Sequence, residues 1–314
     1  MSSHFVTSSD QVVILMCTYN GAEFLSGQLD SIAAQTYTNW RLVVSDDGSS
    51  DDTVLILQAY QRQWGVDKLE IRFGPRQGFC QNFLSISCDP TITGSFFAFC
   101  DQDDVWLKHK LTVAVMYLST KPDLTCPYLY CGRTIYVQEN LKIYGYSSNF
   151  DFPKTFRNAL VQSIAGGNTM VFNSAAKRLL EIWGPQPVQS HDWWLYLLVT
   201  GVGGQVYFDP NPHLLYRQHR NSLVGDNNSI KAKLIRIRLL LQGRFYQWNC
   251  KNINALFKNN SHLRNSNYKT LYLFRILRDG SLLDRIRLIR SCGLYRQTQL
   301  GTIGLYIAII LNRV

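Results

Sequence analysis

Val12-Val13-Ile14-Leu15-Met16-Cys17 is an unbroken apolar run of strand length, and it opens a pattern that repeats through the first hundred residues: a buried-type strand, a polar cluster, a helix. A run with no polar alternation belongs to a strand covered on both faces, as in parallel sheets. This one leads into Thr18-Tyr19-Asn20 and then a helical pattern with Leu25, Leu29, Ile32 and Ala33 on one face. Arg41 to Ser45 predicts a second strand ending in Asp46-Asp47-Gly48, with Ser49 and Asp52 at capping-box spacing for a helix through Leu55 and Leu57. Leu69 to Phe73 predicts a third strand and Gly78 to Ile86 another helix. Phe96 to Cys100 predicts a fourth strand, running straight into Asp101-Gln102-Asp103-Asp104. Such alternation specifies an open α/β sheet, in which ligands sit beyond the carboxyl ends of the strands. Three polar clusters therefore converge on one edge.

Composition supports a large core. Of 314 residues, 46% are hydrophobic and 17% charged, enough for one large domain or two modest ones. The eight cysteines form no CxxC pair, so reduced thiols are expected rather than a disulfide framework. Met1-Ser2-Ser3-His4-Phe5 has neither the charged nor the apolar region of a signal peptide. The most apolar stretch, Leu300 to Leu311, is too short to span a bilayer and long enough to lie in its interface. The net charge of +10 is lopsided: 16 Lys/Arg against 19 Asp/Glu through Gly225, then 16 against 3 from Asp226 onward. The charge division and the strand–helix pattern predict a near-neutral α/β domain over 1–225 and a basic helical region over 226–314.

Two carboxylates two residues apart after a buried strand, Asp101 and Asp103, present the hard oxygen ligands that Mg²⁺ or Mn²⁺ takes alongside substrate phosphates. No GxGxxG follows the first strand and no Walker lysine is present, so pyrophosphate charge has to be met by a metal and basic side chains. Asp46 and Asp47 are placed either to accept from a base N–H or ribose hydroxyl or to serve as turn residues. Asp103 or Asp104 also reads as an N-cap for a helix from Leu107 onward.

The runs Cys17-Thr18-Tyr19-Asn20-Gly21, Ser45-Asp46-Asp47-Gly48-Ser49 and Phe99-Cys100-Asp101-Gln102-Asp103-Asp104-Val105-Trp106 resemble the family 2 inverting glycosyltransferases of GT-A fold. His191-Asp192-Trp193-Trp194 and Tyr216-Arg217-Gln218-His219 resemble their rhamnosyltransferase-like branch, which builds bacterial surface polysaccharides such as O-antigen. The resemblance implies a Rossmann-like open mixed sheet flanked by helices. It implies a nucleotide site at Cys17, Thr18, Tyr19, Asp47, Arg76, Asp101 and Arg217, with Asp47 accepting from a pyrimidine N3–H. It places Mg²⁺ or Mn²⁺ at Asp103 and His219 and the general base at Asp192, and it sets Trp193 and Trp194 against the sugar or acceptor. The implied reaction moves a sugar, L-rhamnose from dTDP-L-rhamnose first among candidates, from a nucleotide-sugar donor to a lipid-linked or polysaccharide acceptor. Departures at Arg220, Asn168 and Gln77 leave donor and acceptor open.

The basic region mixes Arg and Lys with Leu and Ile over Ile230 to Leu241 and Leu283 to Ile289, as helices on anionic membrane surfaces do. No nucleic-acid motif accompanies the charge. A cytoplasmic enzyme, peripheral on the inner face of the membrane, is the expectation. The alternatives are a UDP-hexose transferase of the same fold and a non-catalytic subunit that binds nucleotide sugar or polyanion.

Overall fold

A computed structural model describes residues 10–218, 238 and 242–314 of the chain. They form two compact units, and these do not follow chain order. The first takes the described residues within Met1–Ser148, Ala165–Gln186 and Tyr207–Ser222. The second takes Asn149–Ile164, Pro187–Val206 and those within Leu223–Val314. The boundary expected near 226 thus differs from the division by contact, because 149–164 and 187–206 group with the C-terminal helices.

The first unit is built on strands β1 (Val12–Thr18), β2 (Trp40–Asp46), β3 (Leu69–Phe73) and β4 (Phe96–Cys100), in the spatial order β3-β2-β1-β4 and all parallel. Helices α1 (Ala22–Ala33), α2 (Thr53–Trp64) and α3 (Phe79–Ser87) follow the first three strands. Every β1 residue is buried, as the apolar run requires. In the chain, β5 (Val105–Trp106), helix α4 (Lys110–Ser119), β6 (Tyr128–Gly132), β7 (Ile135–Val137), β8 (Ile143–Tyr146) and α5 (Phe156–Ala159) come next. Strand β9 (Val171–Asn173), helices α6 (Ser174–Trp183) and α7 (His191–Gly201), β10 (Gln205–Asp209) and β11 (Leu214–Arg217) follow. Beyond β4 the main sheet continues with β9, β6 and β10; β9 is antiparallel to both β4 and β6, which makes the sheet mixed. A second, small sheet runs β5-β11-β7-β8.

Alternate residues divide the core. Phe96, Ala98 and Cys100 of β4 join Ile14, Met16, Leu29 and Trp106 on one face. On the other, Phe99 meets Phe83 edge-on at 5.5 Å and Phe172 at 5.0 Å between ring centroids.

Two local expectations are corrected. The capping box at the start of α2 is absent: the Asp51 carboxylate takes the Thr53 amide at 3.1 Å, leaving the Ser49 hydroxyl for the Asn20 amide and Asp46. No helix starts at Leu107 either. Val105 and Trp106 pair antiparallel with Leu215 and Leu214, which delays α4 to Lys110.

The second unit is helical. It holds α5, α7 and, in the C-terminal region, α8 (Arg244–Lys258), α9 (Asn265–Asp279), α10 (Leu282–Cys292) and α11 (Gln299–Ile310). Helix α10 contains the patterned stretch Leu283 to Ile289; most of Ile230 to Leu241 lies outside the described residues.

Candidate active site

The site begins where β1, β2 and β4 end side by side. Parallel pairing sets Thr18 against Asp46 and Met16 against Cys100, so the polar clusters share one edge. Asp46 locks the turn. Its buried carboxylate accepts from the Thr18 hydroxyl (2.8 Å), the Gly48 and Ser49 amides (3.1 and 2.8 Å) and the Ser49 hydroxyl (2.5 Å). Asp46 is therefore a turn residue, the plainer of its two readings.

Asp47 points the other way, into the loop after β3. Its two oxygens accept from the Arg76 amide (2.6 Å) and the Gly78 amide (2.8 Å). Arg76 adopts φ 57°, a left-handed conformation uncommon for arginine, and Gly78 follows at φ 86°. Gly74 lets the loop come this close, since a Cβ there would lie 2.8 Å from the Asp47 carboxylate and 2.5 Å from the Asn82 amide oxygen. The Arg76 side chain is exposed and packs over Gly48. Asp47 and Arg76 thus form one rim of the edge.

The acidic loop after β4 forms the other rim. Gln102 ties it to the end of β1: its amide oxygen accepts from the Tyr19 N–H (2.9 Å) and its amide nitrogen donates to the Tyr19 carbonyl (3.1 Å). Sequence reasoning passed over Gln102, although it is the one neutral residue in an acidic run. Tyr19 itself is 60% exposed at this edge. Asp104 is fully buried and accepts from the Asn168 amide at 2.6 Å and the Arg217 amide at 3.3 Å. Asn168, noted above only as a departure, is what anchors the loop from below.

Arg217, expected in the nucleotide site, is corrected to a positioning residue. It is buried, its Nε donates to the Asp103 carbonyl at 2.9 Å, another guanidinium nitrogen donates to the Glu139 carbonyl, and the group lies 4.6 Å from the Phe24 ring centroid. Its cation sets the shape of the acidic loop from within.

Asp101 and Asp103 remain half-buried at the edge. Burial, then Asp103 and Asp101, pushes the Asp104 carboxyl well above the usual carboxylate range. Burial, then Asp101 and Asp47, likewise pushes the Cys17 thiol up, so both rims act on the end of β1. Lys110 is buried against the Trp106 ring, 3.7 Å from its centroid. Burial pulls its ammonium down to about 8 even though Cys100, Asp104 and Asp101 favour the charged form. A crowded set of hard oxygen donors with excess negative potential is an environment that suits a divalent cation. Among the described residues no three His, Cys, Asp or Glu side chains converge as a complete metal shell, and His219 lies outside them.

The other residues expected from sequence to take part, Asp192, Trp193 and Trp194, belong to the second unit. Helix α7 is buried along its length except at Asp192, on its first turn, where the carboxylate accepts the Trp193 amide at 2.6 Å. Trp193 and Trp194 are corrected to core residues. Trp193 donates its indole N–H to the Ala159 carbonyl at 2.7 Å and stacks on Phe245 at 6.1 Å, and Trp194 is wholly buried. Neither ring face is open to a sugar. Burial also pulls the neighbouring His191 down to about 4.

A mixed sheet of this order, flanked by helices and with polar and acidic loops at its carboxyl edge, has the GT-A fold. The model of the family "Glycosyl transferase family 2" matches residues 13–180, and the chain belongs to that family. It is 28% identical over 259 residues to the dTDP-rhamnosyl transferase RfbG of Shigella flexneri, covering 77% of this chain and 84% of that protein. Among solved structures it resembles S. aureus TarS 1-349 in complex with UDP-GlcNAc, with TM-score 0.56, 15% identity and coverage of 96% and 89%. It also resembles the mannosyltransferase PcManGT from Pyrobaculum calidifontis in complex with GDP-Man and Mn²⁺, with TM-score 0.51, 19% identity and coverage of 97% and 87%. The chain is an enzyme of glycosyl transfer.

Proposed function

We propose that the enzyme transfers a sugar with inversion from a nucleoside diphosphate donor to a lipid-linked or polysaccharide acceptor of a bacterial surface glycan, with dTDP-L-rhamnose as donor. The observation that carries the donor site is the pair of rims: Asp47, held by two loop amides, and Asp101 with Asp103, held through Gln102, Asn168 and Arg217. The donor's identity rests on the similarity to a dTDP-rhamnosyl transferase.

In this reading Asp47 uses its remaining lone pairs for the pyrimidine N3–H, and the exposed Tyr19 ring covers the base. Asp101 and Asp103 would hold Mg²⁺ or Mn²⁺, which when bound offsets the negative charge that grows on the departing diphosphate. Asp192 takes the proton from the acceptor hydroxyl as the hydroxyl oxygen attacks the anomeric carbon, and the diphosphate leaves from the opposite face. Asp192 is the residue of α7 that reaches the surface, which supports its assignment as base.

The test is Asp192→Asn. Donor binding, read as the thermal shift with dTDP-L-rhamnose and Mn²⁺, should persist while transfer falls by about 10³-fold. Undiminished transfer removes Asp192 from the base role. A larger shift with a UDP- or GDP-sugar than with dTDP-L-rhamnose replaces the donor and leaves the reaction class standing.

A further inference from the structure

Helix α11 violates the ordinary pattern of a surface helix. A helix at the rim of a globular unit turns its charged and polar residues outward. The exposed positions of α11 are Gln299, Leu300, Ile303, Gly304, Ile307 and Ile310, with no charge among them, while Leu305, Ala308 and Ile309 are buried on the other side. Leu300 is 82% exposed, Ile303 56% and Ile307 53%. Their spacing lays them along one stripe. Helix α10 adds exposed Leu282, Leu283 and Ile286, and the Arg285 guanidinium donates to the Ile310 carbonyl at 3.0 Å, joining the two helices.

The surroundings are basic. From Leu282 to Val314 there are five arginines and one acid. Arg287 and Arg290 are exposed on α10, and Arg296 and Arg313 flank α11. The one acid, Asp284, faces Ser281 in a capping box and accepts from both its amide (3.0 Å) and its hydroxyl (2.7 Å). Thr298 caps α11 through the Gly301 amide at 3.0 Å, so the first turns of both helices are capped from within the chain.

We propose that the exposed faces of α10 and α11 dock on an anionic lipid bilayer, the aliphatic stripe entering the headgroup layer and the arginines meeting lipid phosphates. This proposal stands apart from the donor assignment. Two properties select lipid over a second copy of the chain. Copies packed through these helices would bring like-charged arginines together, whereas anionic headgroups complement them. The stripe also borders an open, mostly apolar groove of about 800 Å³ that Gln299, Thr302 and Ile303 line with Phe156, Thr270 and Tyr295. Fluid acyl chains fill such an irregular surface without the shape match that a protein partner needs. No described helix is long and apolar enough to cross a membrane, so the contact is interfacial.

The experiment is co-sedimentation of the full chain with vesicles of phosphatidylcholine alone or mixed in equal parts with phosphatidylglycerol. Binding to the mixed vesicles only, weakened by salt, is expected. Ile303→Ser/Ile307→Ser should lower the partition coefficient by about tenfold or more, and Arg287→Gln/Arg290→Gln should lower it and flatten the salt dependence. Circular dichroism and melting temperature of these surface variants should match the wild type. Equal binding to both vesicle types, or unchanged binding by the apolar double variant, overturns the proposal. So does a lipid-free dimer in sedimentation velocity that the apolar double variant dissolves.

Discussion

Two regions of the molecule, one in each compact unit, handle side chains in opposite ways. At the sheet edge of the first, polar groups are drawn inside and bonded: Asp46, Asp47, Asp104, Asn168 and Arg217 are all buried. On α10 and α11 of the second, Leu282, Leu283, Ile286, Leu300, Ile303 and Ile307 are left outside. Buried polar groups stabilise only when fully satisfied, so the first arrangement fixes a single loop geometry at the strand ends. Exposed apolar side chains contribute less to folding than buried ones, and a contiguous stripe of them is the feature on which the proposed docking face rests. Preorganised polar groups are what support the proposed donor site, and the uncharged exposed stripe is what supports the proposed docking face.

The largest test of this contrast is Asp46→Ala. It leaves two amides and two hydroxyls without their acceptor at a buried turn, and a loss of about 3 kcal/mol in unfolding free energy is expected from denaturant titration. A loss below about 1 kcal/mol would mean that water replaces the carboxylate readily and that the edge is not preorganised as argued. Next comes Asn168→Ala, which strips buried Asp104 of its 2.6 Å partner. About 2 kcal/mol of stability should go with it. The acidic loop should loosen as well, raising the KM for donor more than it lowers kcat. Loss of kcat alone would assign Asn168 to the chemical step instead of to loop positioning.

The sequence made one half of this contrast readable. Strands β1 to β4 stand where the apolar runs place them, and because a parallel sheet puts successive strand ends on one edge, the acidic clusters had to meet. What stayed hidden depended on which way side chains turn. Trp193 and Trp194 sit beside a surface carboxylate in sequence, yet α7 is buried on nearly every side, and a helix apolar all round carries no periodicity from which to choose a face. Arg217 looked like a phosphate ligand because its partners, the carbonyls of Asp103 and Glu139, are backbone atoms that any sequence possesses. Gln102 and Asn168 were overlooked for the same reason from the other side. Their roles come from a register that brings distant segments together, which single-strand patterns do not encode.

The smallest expected effect falls on the other half of the comparison. Leu300→Ser or Ile307→Ser should change unfolding free energy by no more than about 0.5 kcal/mol, as surface substitutions away from packed features do. The reason is geometric: at 82% and 53% exposure these side chains lose little burial when truncated, while α11 keeps its buried side and its Thr298 cap. A destabilisation above about 1.5 kcal/mol, comparable to a buried methyl deletion, would show that the stripe is covered within the chain. The two regions would then no longer differ in kind, only in which residues each has buried.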